Sequence, residues 1–501
     1  MTGAAGAARD RPVAPETAVE PSVRSSERWI LGVVTLTNLT VVLSSTALAI
    51  ALPTIAAHFG AGPVSSTWMV VTPQLVVTCL LVTFGRLADI FGRRELFMVG
   101  LGVFSLGAAL AGLAPHVGVL IGLQAIQALG AAMLLSNTGA IVGSVFTGPR
   151  LHQAMGIYLA SVSIGQMIGP IVGGTVAEYL GWRWVFWAQV PLALLCLALG
   201  AVHLRRLPVR EERDRSIDVL GALVLAGALV SLLMAISAVQ NWGLANWRVS
   251  SGLAVAVGLF LVLLPVERRA RVPVLPIRLF RHRDFSVANL VSLLSVMPRF
   301  TMVTLLALYF QAALGDSALT AGLRLVPLAV GVAVGSVGAD ALGRTWGVLQ
   351  RSTVVPNLVM VLGLVPLGLG LRVEADQWAL SMALFVVGFG GGLFTTVNAS
   401  TIIGSAPVAD VGSVNGIRLT ILNIGIALST VTGLAVATSA LPVEWRGDFY
   451  AANLSGAAAL DQLHTGFDRV VLVMVALSLL SALVTALAGR RRPASADHRA
   501  G

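Results

Sequence analysis

Along this chain apolar residues gather in long uninterrupted runs divided by short polar stretches. The runs lie near 29–52, 66–84, 95–114, 117–146, 152–178, 183–203, 217–239, 248–266, 285–311, 318–340, 350–371, 377–403, 411–439 and 466–488. About 20 apolar residues at 1.5 Å rise cross roughly 30 Å of hydrocarbon. The pattern therefore predicts an all-α polytopic membrane protein with 14 transmembrane helices. Residues 1–28, rich in Ala, Pro, Arg and Glu, lack this period and are expected to be a disordered cytoplasmic tail rather than a signal peptide, with 489–501 as a second tail.

Composition narrows the class. Of 501 residues 56% are hydrophobic and 11% charged, against roughly 25% charged in soluble domains, which excludes a soluble protein. All 33 basic residues are arginine, and the net charge is +10. Such a balance in a soluble chain suggests nucleic acid, but here the arginines punctuate apolar runs and serve as topology signals. One set of alternate loops carries Arg86, Arg93, Arg94, Arg150, Arg205, Arg206, Arg210, Arg213, Arg215, Arg268, Arg269, Arg271, Arg278, Arg281, Arg283, Arg344 and Arg351, besides those of both tails. The opposite loops carry only Arg183, Arg248, Arg372, Arg446 and Arg469. The positive-inside rule then makes both termini cytoplasmic. Trp68, Trp182, Trp184, Trp187 and Trp378 fall near outer span ends, as an aromatic belt requires. The lysine-free, Ala/Gly/Val-rich composition points to a high-GC bacterial source, hence to a bacterial plasma membrane. Cys79 and Cys196 sit inside apolar runs and read as packing residues.

Two cytoplasmic loops repeat a pattern. Gly85-Arg86-Leu87-Ala88-Asp89-Ile90-Phe91-Gly92-Arg93-Arg94 follows the second span, and Asp340-Ala341-Leu342-Gly343-Arg344 follows the tenth. Both hold Asp-x-x-Gly-Arg at the same offset from the preceding run. With the seventh and eighth spans as an insertion, the chain divides into a six-helix bundle at 29–203, two additional helices with linkers at 204–284, and a second six-helix bundle at 285–488.

The first of these loops is similar to the loop signature of the major facilitator superfamily. Gly165-x-x-x-Gly169-Pro170-x-x-Gly173-Gly174 resembles its antiporter signature. Trp182-Arg183-Trp184-Val185-Phe186 and Ala51-Leu52-Pro53 resemble the fourteen-span drug:proton antiporter branch. The resemblance implies the major facilitator fold in a 6+2+6 order and export of small amphipathic molecules.

Asp89 at the inner end of the second span, in a turn that Gly85 and Gly92 keep tight, is expected to pair with Arg93 and face a helix N-terminus. The resemblance implies that this helix is the thirteenth span, near Gly412. Gly85, Asp89, Gly92, Arg93, Arg94, Asp340 and Arg344 are the expected gating set. Gly165, Gly169 and Gly173 form one bare stripe on the fifth span, to which Gly331 and Gly335 of the tenth offer a matching spacing, and Pro170 permits a bend.

Polar groups facing lipid are costly, so polar stripes should mark a cavity. Thr37, Thr40 and Ser44 share a face, as do Gln74 and Thr78, Gln124 and Gln127, Ser292, Ser295 and Arg299, and Asn415 and Arg418. Ser44, Gln74, Gln124, Gln127, Ser295, Arg299 and Arg418 are the expected substrate cavity. Arg299 stands about 21 Å into its span, close to mid-membrane, beside Pro298. Arg418 and Arg324 lie nearer the inner and outer ends, where snorkelling explains them almost as well.

Where the antiporter branch carries an aspartate in the first span this chain has Ser44, and where it carries an arginine in the fourth, Gln124 stands before Ala125. No Asp or Glu lies in mid-span, and the histidines lie in loops, tails or span ends. Coupling through an end-located carboxylate such as Asp89 or Asp340, and transport without protons, both stay open. The acid-free cavity around Arg299 predicts a preference for neutral or anionic amphiphiles. An alternative is a lipid or glycolipid flippase. A zinc-spaced His/Cys cluster, GxSxG, Walker A and paired carboxylates are all missing from the sequence, so neither an enzyme, a metal site nor a cofactor is expected. The expected unit is a monomer whose partners are the bilayer, an amphipathic substrate and, in the coupled case, protons, with no nucleic acid.

Overall fold

The computed structural model describes residues 21–146, 149–206, 218–242, 246–270, 273, 277–346, 353–372, 377–404, 411–454 and 456–489. The described residues form α-helices and two short 3-10 turns, without strands. In chain order the helices are α1 (Pro21–Phe59), α2 (Pro63–Phe91), α3 (Arg93–Ala111), α4 (Val117–Val145), α5 (Pro149–Tyr179), α6 (Trp182–Trp187), α7 (Gln189–His203) and α8 (Val219–Trp242). They continue with α9 (Trp247–Arg269), α10 (Arg283–Ala312), α11 (Ala318–Trp346), α12 (Val354–Arg372), α13 (Gln377–Gly404), α14 (Val411–Thr438), α15 (Val443–Tyr450) and α16 (Ala457–Gly489).

Every predicted run has its helix, and local chemistry explains the ends. Pro63 starts α2 where its missing N–H costs nothing, and His116 caps α4 by accepting from the Val119 amide at 3.3 Å. The sixth run breaks at Ala188 into α6 and α7, because Pro191 has no N–H for the Trp187 carbonyl. Two segments differ from expectation. α1 begins at Pro21, inside the segment read as a disordered tail. The segment 440–465, which falls between two predicted runs, holds α15 and the first turns of α16. Its polar residues hid these helices from a search for apolar runs. Among the described residues twelve helical stretches, with α6 and α7 counted together as one, are long and apolar enough to cross a membrane; Val354–Gly370 of α12 is apolar but shorter.

Glycine contacts show that the chain repeats itself. A Cβ at Gly165 or Gly173 of α5 would strike Val42 or Ala47 of α1; one at Gly425 or Gly433 of α14 would strike Val296 or Thr301 of α10. The α5 and α14 positions are 260 residues apart, their partners 254 apart. Likewise Gly130 of α4 meets the backbone of Gly100 and Phe104 on α3, as Gly390 of α13 meets Pro356 and Met360 on α12. Helix pairs in the first part of the chain thus recur, residue for residue, in the last.

Between the two parts, α2 packs on α14 and α5 on α11. α8 lies against both α2 and α14, and α9 packs on α8 while leaving most of its surface uncovered. A large apolar core joins both parts at the end of the molecule that the arginine pattern assigns outside: Ile50, Ile55 and Phe186 pack there with Phe310, Leu325 and Phe449. At the other end the buried clusters stay separate. Phe97, Ile141 and Val142 belong to one, Phe285, Ile402 and Val414 to another.

Candidate functional site

Near the middle of α10, Ser292, Ser295 and Arg299 share a face at i, i+3 and i+7, and they line a pocket with Asn398 of α13 and Arg418 of α14. Arg299 is 8% exposed. Its Nη1 donates to Thr395 Oγ1 at 3.4 Å and its Cζ lies 4.8 Å over the Phe300 ring. Gly391 makes room for it, since a Cβ there would lie 2.9 Å from Arg299 Cδ. Among the described residues no carboxylate pairs with Arg299. An arginine at mid-membrane costs about 2.5–3.5 kcal/mol on insertion scales, so this group is held against a substantial gradient. Arg418 lines the same pocket rather than snorkelling to a membrane surface, and it sits within electrostatic range of Tyr158 on α5.

The other expected cavity residues divide among separate networks. Ser295 touches the pocket, but its hydroxyl bonds away from it, to Asn357 Oδ1 at 2.8 Å and Ser481 Oγ at 2.7 Å, tying α10 to α12 and α16. Gln127 donates to Gln189 Oε1 at 2.7 Å and to Ser44 Oγ at 3.3 Å, linking α4, α7 and α1. Gln74 bridges the two parts by donating to Asn423 Oδ1 on α14. Gln124 is 1% exposed, and neither amide atom has a partner among the described residues. The cavity set is thus not one constellation: Arg299 and Arg418 converge, and Ser44, Gln74, Gln124 and Gln127 lie elsewhere.

At the end that the arginine pattern assigns inside, Arg93 Nη2 meets Asp89 Oδ1 at 2.9 Å, and its Nη1 donates to the Ala140 carbonyl of α4 at 3.0 Å. The guanidinium therefore clamps the end of α2 to the last turns of α4. Gly92, at φ 103°, is the single residue between α2 and α3, a left-handed hinge that a side chain would strain. Gly85 lies within α2, not in a turn, and only ordinary contact with Ser136 would meet a Cβ there. Arg94 lies 3.5 Å from Glu95. The side chains of Asp340, Arg344 and Asn415, and the residues 405–410 before α14, lie outside the described set.

The glycine stripe of α5 packs on α1, not on α11. Gly165, Gly169 and Gly173 face Val42, Thr46 and Ala47, while Gly331 and Gly335 face the Phe385 and Phe389 carbonyls of α13. α5 does meet α11, along the face next to the stripe: a Cβ at Gly174 would strike the Ala318 carbonyl, and one at Gly322 the Pro170 carbonyl. Beside this crossing Glu178 Oε2 accepts the Leu319 amide at 3.1 Å, placing a carboxylate on the positive end of α11. Gln311 Nε2 donates to the Ile50 carbonyl at 3.1 Å, and Tyr450 of α15 meets Thr67 at 3.1 Å. Arg324, instead of snorkelling, pairs with Asp316 at 2.6 Å. Burial pushes the Asp316 carboxyl above its ordinary value, and Arg324 offsets part of that rise.

Sequence reasoning overlooked Asn357, Asn398, Asn423 and Gln189, although a mid-span amide carries the same signal as a glutamine that was counted. It had no means of finding Tyr450 or Glu178, whose partners are set by tertiary packing alone.

Comparison with known proteins accords with this geometry. A family model described as Major Facilitator Superfamily matches residues 34–430. The multidrug efflux pump LfrA of Mycolicibacterium smegmatis is 30% identical over 448 residues, covering 87% of this chain and 84% of LfrA. The riboflavin transporter RibZ of Clostridioides difficile is 30% identical over 390 residues, covering 77% and 83%. The puromycin resistance protein pur8 of Streptomyces alboniger is 30% identical over 480 residues, covering 94% and 92%. Among solved structures an auto-inhibited POT family peptide transporter shares the fold, with a TM-score of 0.63 at 16% identity over 95% of this chain and 99% of that one.

Proposed function

The chain belongs to the major facilitator superfamily, and from that premise we propose that it exports small amphipathic compounds across a bacterial plasma membrane by alternating access. In this reading 14 spans in 6+2+6 order place both termini in the cytoplasm, with α5 and α12 completing the set of apolar helices. The halves at 29–203 and 285–488 rock about the crossings of α2 with α14 and α5 with α11. The observation that carries it is the outer seal: a core shared by both halves, reinforced by Gln311 on Ile50, Glu178 on Leu319 and Tyr450 on Thr67. Among the described residues the buried members of each inner-end cluster belong to one half, with Leu419 of α14 alone packing across onto the first, and this supports an inward-open state. Similarity to an efflux pump and a resistance protein supports outward transport of drugs or natural products. The Asp89–Arg93–Ala140 clamp supports a gating role for the loop signature, as the α5 stripe against α1 supports a rigid, leak-tight wall.

Chemistry constrains the coupling. Proton exchange needs a group that binds and releases a proton near the path, and Asp89, at the end of α2, is the described family-signature carboxylate available for it. The test is uptake of a fluorescent amphiphile into everted vesicles, with and without an imposed pH gradient. Accumulation inside everted vesicles that the gradient stimulates supports proton-coupled export. Equal flux with and without it supports uncoupled passage, and no flux above empty vesicles refutes transport of that class.

A further inference from the structure

The pocket beside α10 is asymmetric in charge, and that asymmetry names the chemistry of its ligand. The repeat relates Arg299 to Ser45, Arg418 to Tyr158 and Asn398 to Thr138, by the same offsets of 254 and 260 residues that the glycine contacts define. In the first half these positions are neutral, and Thr138 and Tyr158 satisfy each other at 3.3 Å. In the second they hold two guanidinium groups and an amide around one pocket. A guanidinium carries five N–H donors. Arg299 spends one, at 3.4 Å, on a hydroxyl whose own proton goes to the Gly391 carbonyl, and the Phe300 ring covers one face. Asn398, 3% exposed in the same wall, has an amide oxygen without a partner, and a half-turn of that amide makes it a donor. Val296, Phe394 and Leu422 supply apolar lining next to these groups.

We propose that this pocket is an oxyanion site: Arg299, assisted by Arg418 and Asn398, binds the carboxylate or phosphate end of an amphiphile, whose apolar body extends toward the neutral first half. A purely structural arginine buried in a membrane would be expected to spend its donors on protein acceptors. Among the described residues Arg299, which lines the pocket, gives one of its five donors to a protein acceptor. The inference rests on the transport reading and sharpens it to a substrate class, anionic amphiphiles. The oxyanion could come from a soluble compound or from a lipid headgroup, and the chemistry is the same.

The test uses the full chain in phosphatidylcholine nanodiscs and a matched pair of probes, pyrenebutyrate and its primary amide, which share one apolar body and differ in charge. Binding is read by fluorescence titration. The carboxylate is expected to bind roughly ten- to a hundredfold tighter than the amide, the size of a charge-assisted hydrogen bond. Arg299→Gln should bring that ratio close to one. Arg418→Gln, which lowers the ratio only in part, keeps the test open should the first variant fail to fold. A wild-type ratio near one, or a ratio that survives Arg299→Gln, overturns the proposal. Repeating the titration in phosphatidylglycerol discs separates the sources: loss of carboxylate affinity assigns the site to a lipid headgroup, and unchanged affinity to a soluble amphiphile, each within the oxyanion reading. Export of the neutral amide from vesicles tests transport separately, so the failure of one reading is not the failure of the other.

Discussion

Replacing Gly173 by alanine isolates what the α1–α5 contact contributes. Alanine favours a helix over glycine by about 0.8–1 kcal/mol, so in open space the change should stabilise. At Gly173 the new Cβ would lie 2.5 Å from Ala47 Cα and 3.1 Å from its carbonyl oxygen. Those are backbone atoms, which no rotamer change can remove, so the helices must separate. Overpacking of this kind costs typically 1–3 kcal/mol, which outweighs the propensity gain. At a few degrees per kcal/mol, a melting point roughly 2–8 °C lower follows. Two controls are at hand, one of them from the repeat. Gly433 occupies the equivalent place on α14, but its nearest neighbour is the movable Thr301 Cγ2 at 2.6 Å, so Gly433→Ala should cost less. Gly102 of α3 has nothing within 4 Å, and Gly102→Ala should be neutral or stabilising. Thermal unfolding of the three purified variants in one detergent decides the matter. A Gly173→Ala protein as stable as Gly102→Ala would refute the packing argument.

Other consequences follow from the polar networks. Gln127→Leu strips Gln189 Oε1 of its donor and should destabilise by about 1–3 kcal/mol, whereas Gln124→Leu removes an unpartnered amide and should be neutral or stabilising; opposite shifts in melting temperature are the check. The Asp89–Arg93 pair has side chains 29% and 25% exposed and is worth no more than about 1 kcal/mol. Asp89→Asn should therefore leave stability near wild type while cutting vesicle efflux severalfold, and unchanged efflux would remove Asp89 from the gate. Gly391→Leu should fill the space of the Arg299 stem and abolish binding of the charged probe without loss of the fold, as nanodisc titration and size-exclusion profiles would report.

Much of the fold was legible because membrane helices announce themselves by length and apolarity, and each of the runs found its helix. α15 escaped because its segment, Val443–Tyr450, is polar on average and buries Phe449 and Tyr450 only through contacts made by distant helices. At the site, Arg299 could be read from sequence, since a mid-span arginine has few places to go. Its convergence with Arg418 could not, because it depends on how α10 and α14 cross. Ser295 shows the reverse error: the right face of the helix, but a hydroxyl already committed to Asn357 and Ser481. The glycine spacing in α5 foretold a close helix neighbour, yet spacing alone does not say which, and α1 rather than α11 fills the stripe.

The position of α8 has a mechanical consequence. It rests on α2 and α14, the helices that meet across the seam, through Ala222, Leu225, Leu229 and Leu233 against Val71, Leu75, Ala427 and Val431. Aliphatic contacts of this sort have no preferred register, whereas hydrogen bonds must break before their partners slide. The α8–α9 pair thus covers the contact of α2 with α14 without fixing its register, as a greased bearing covers a joint.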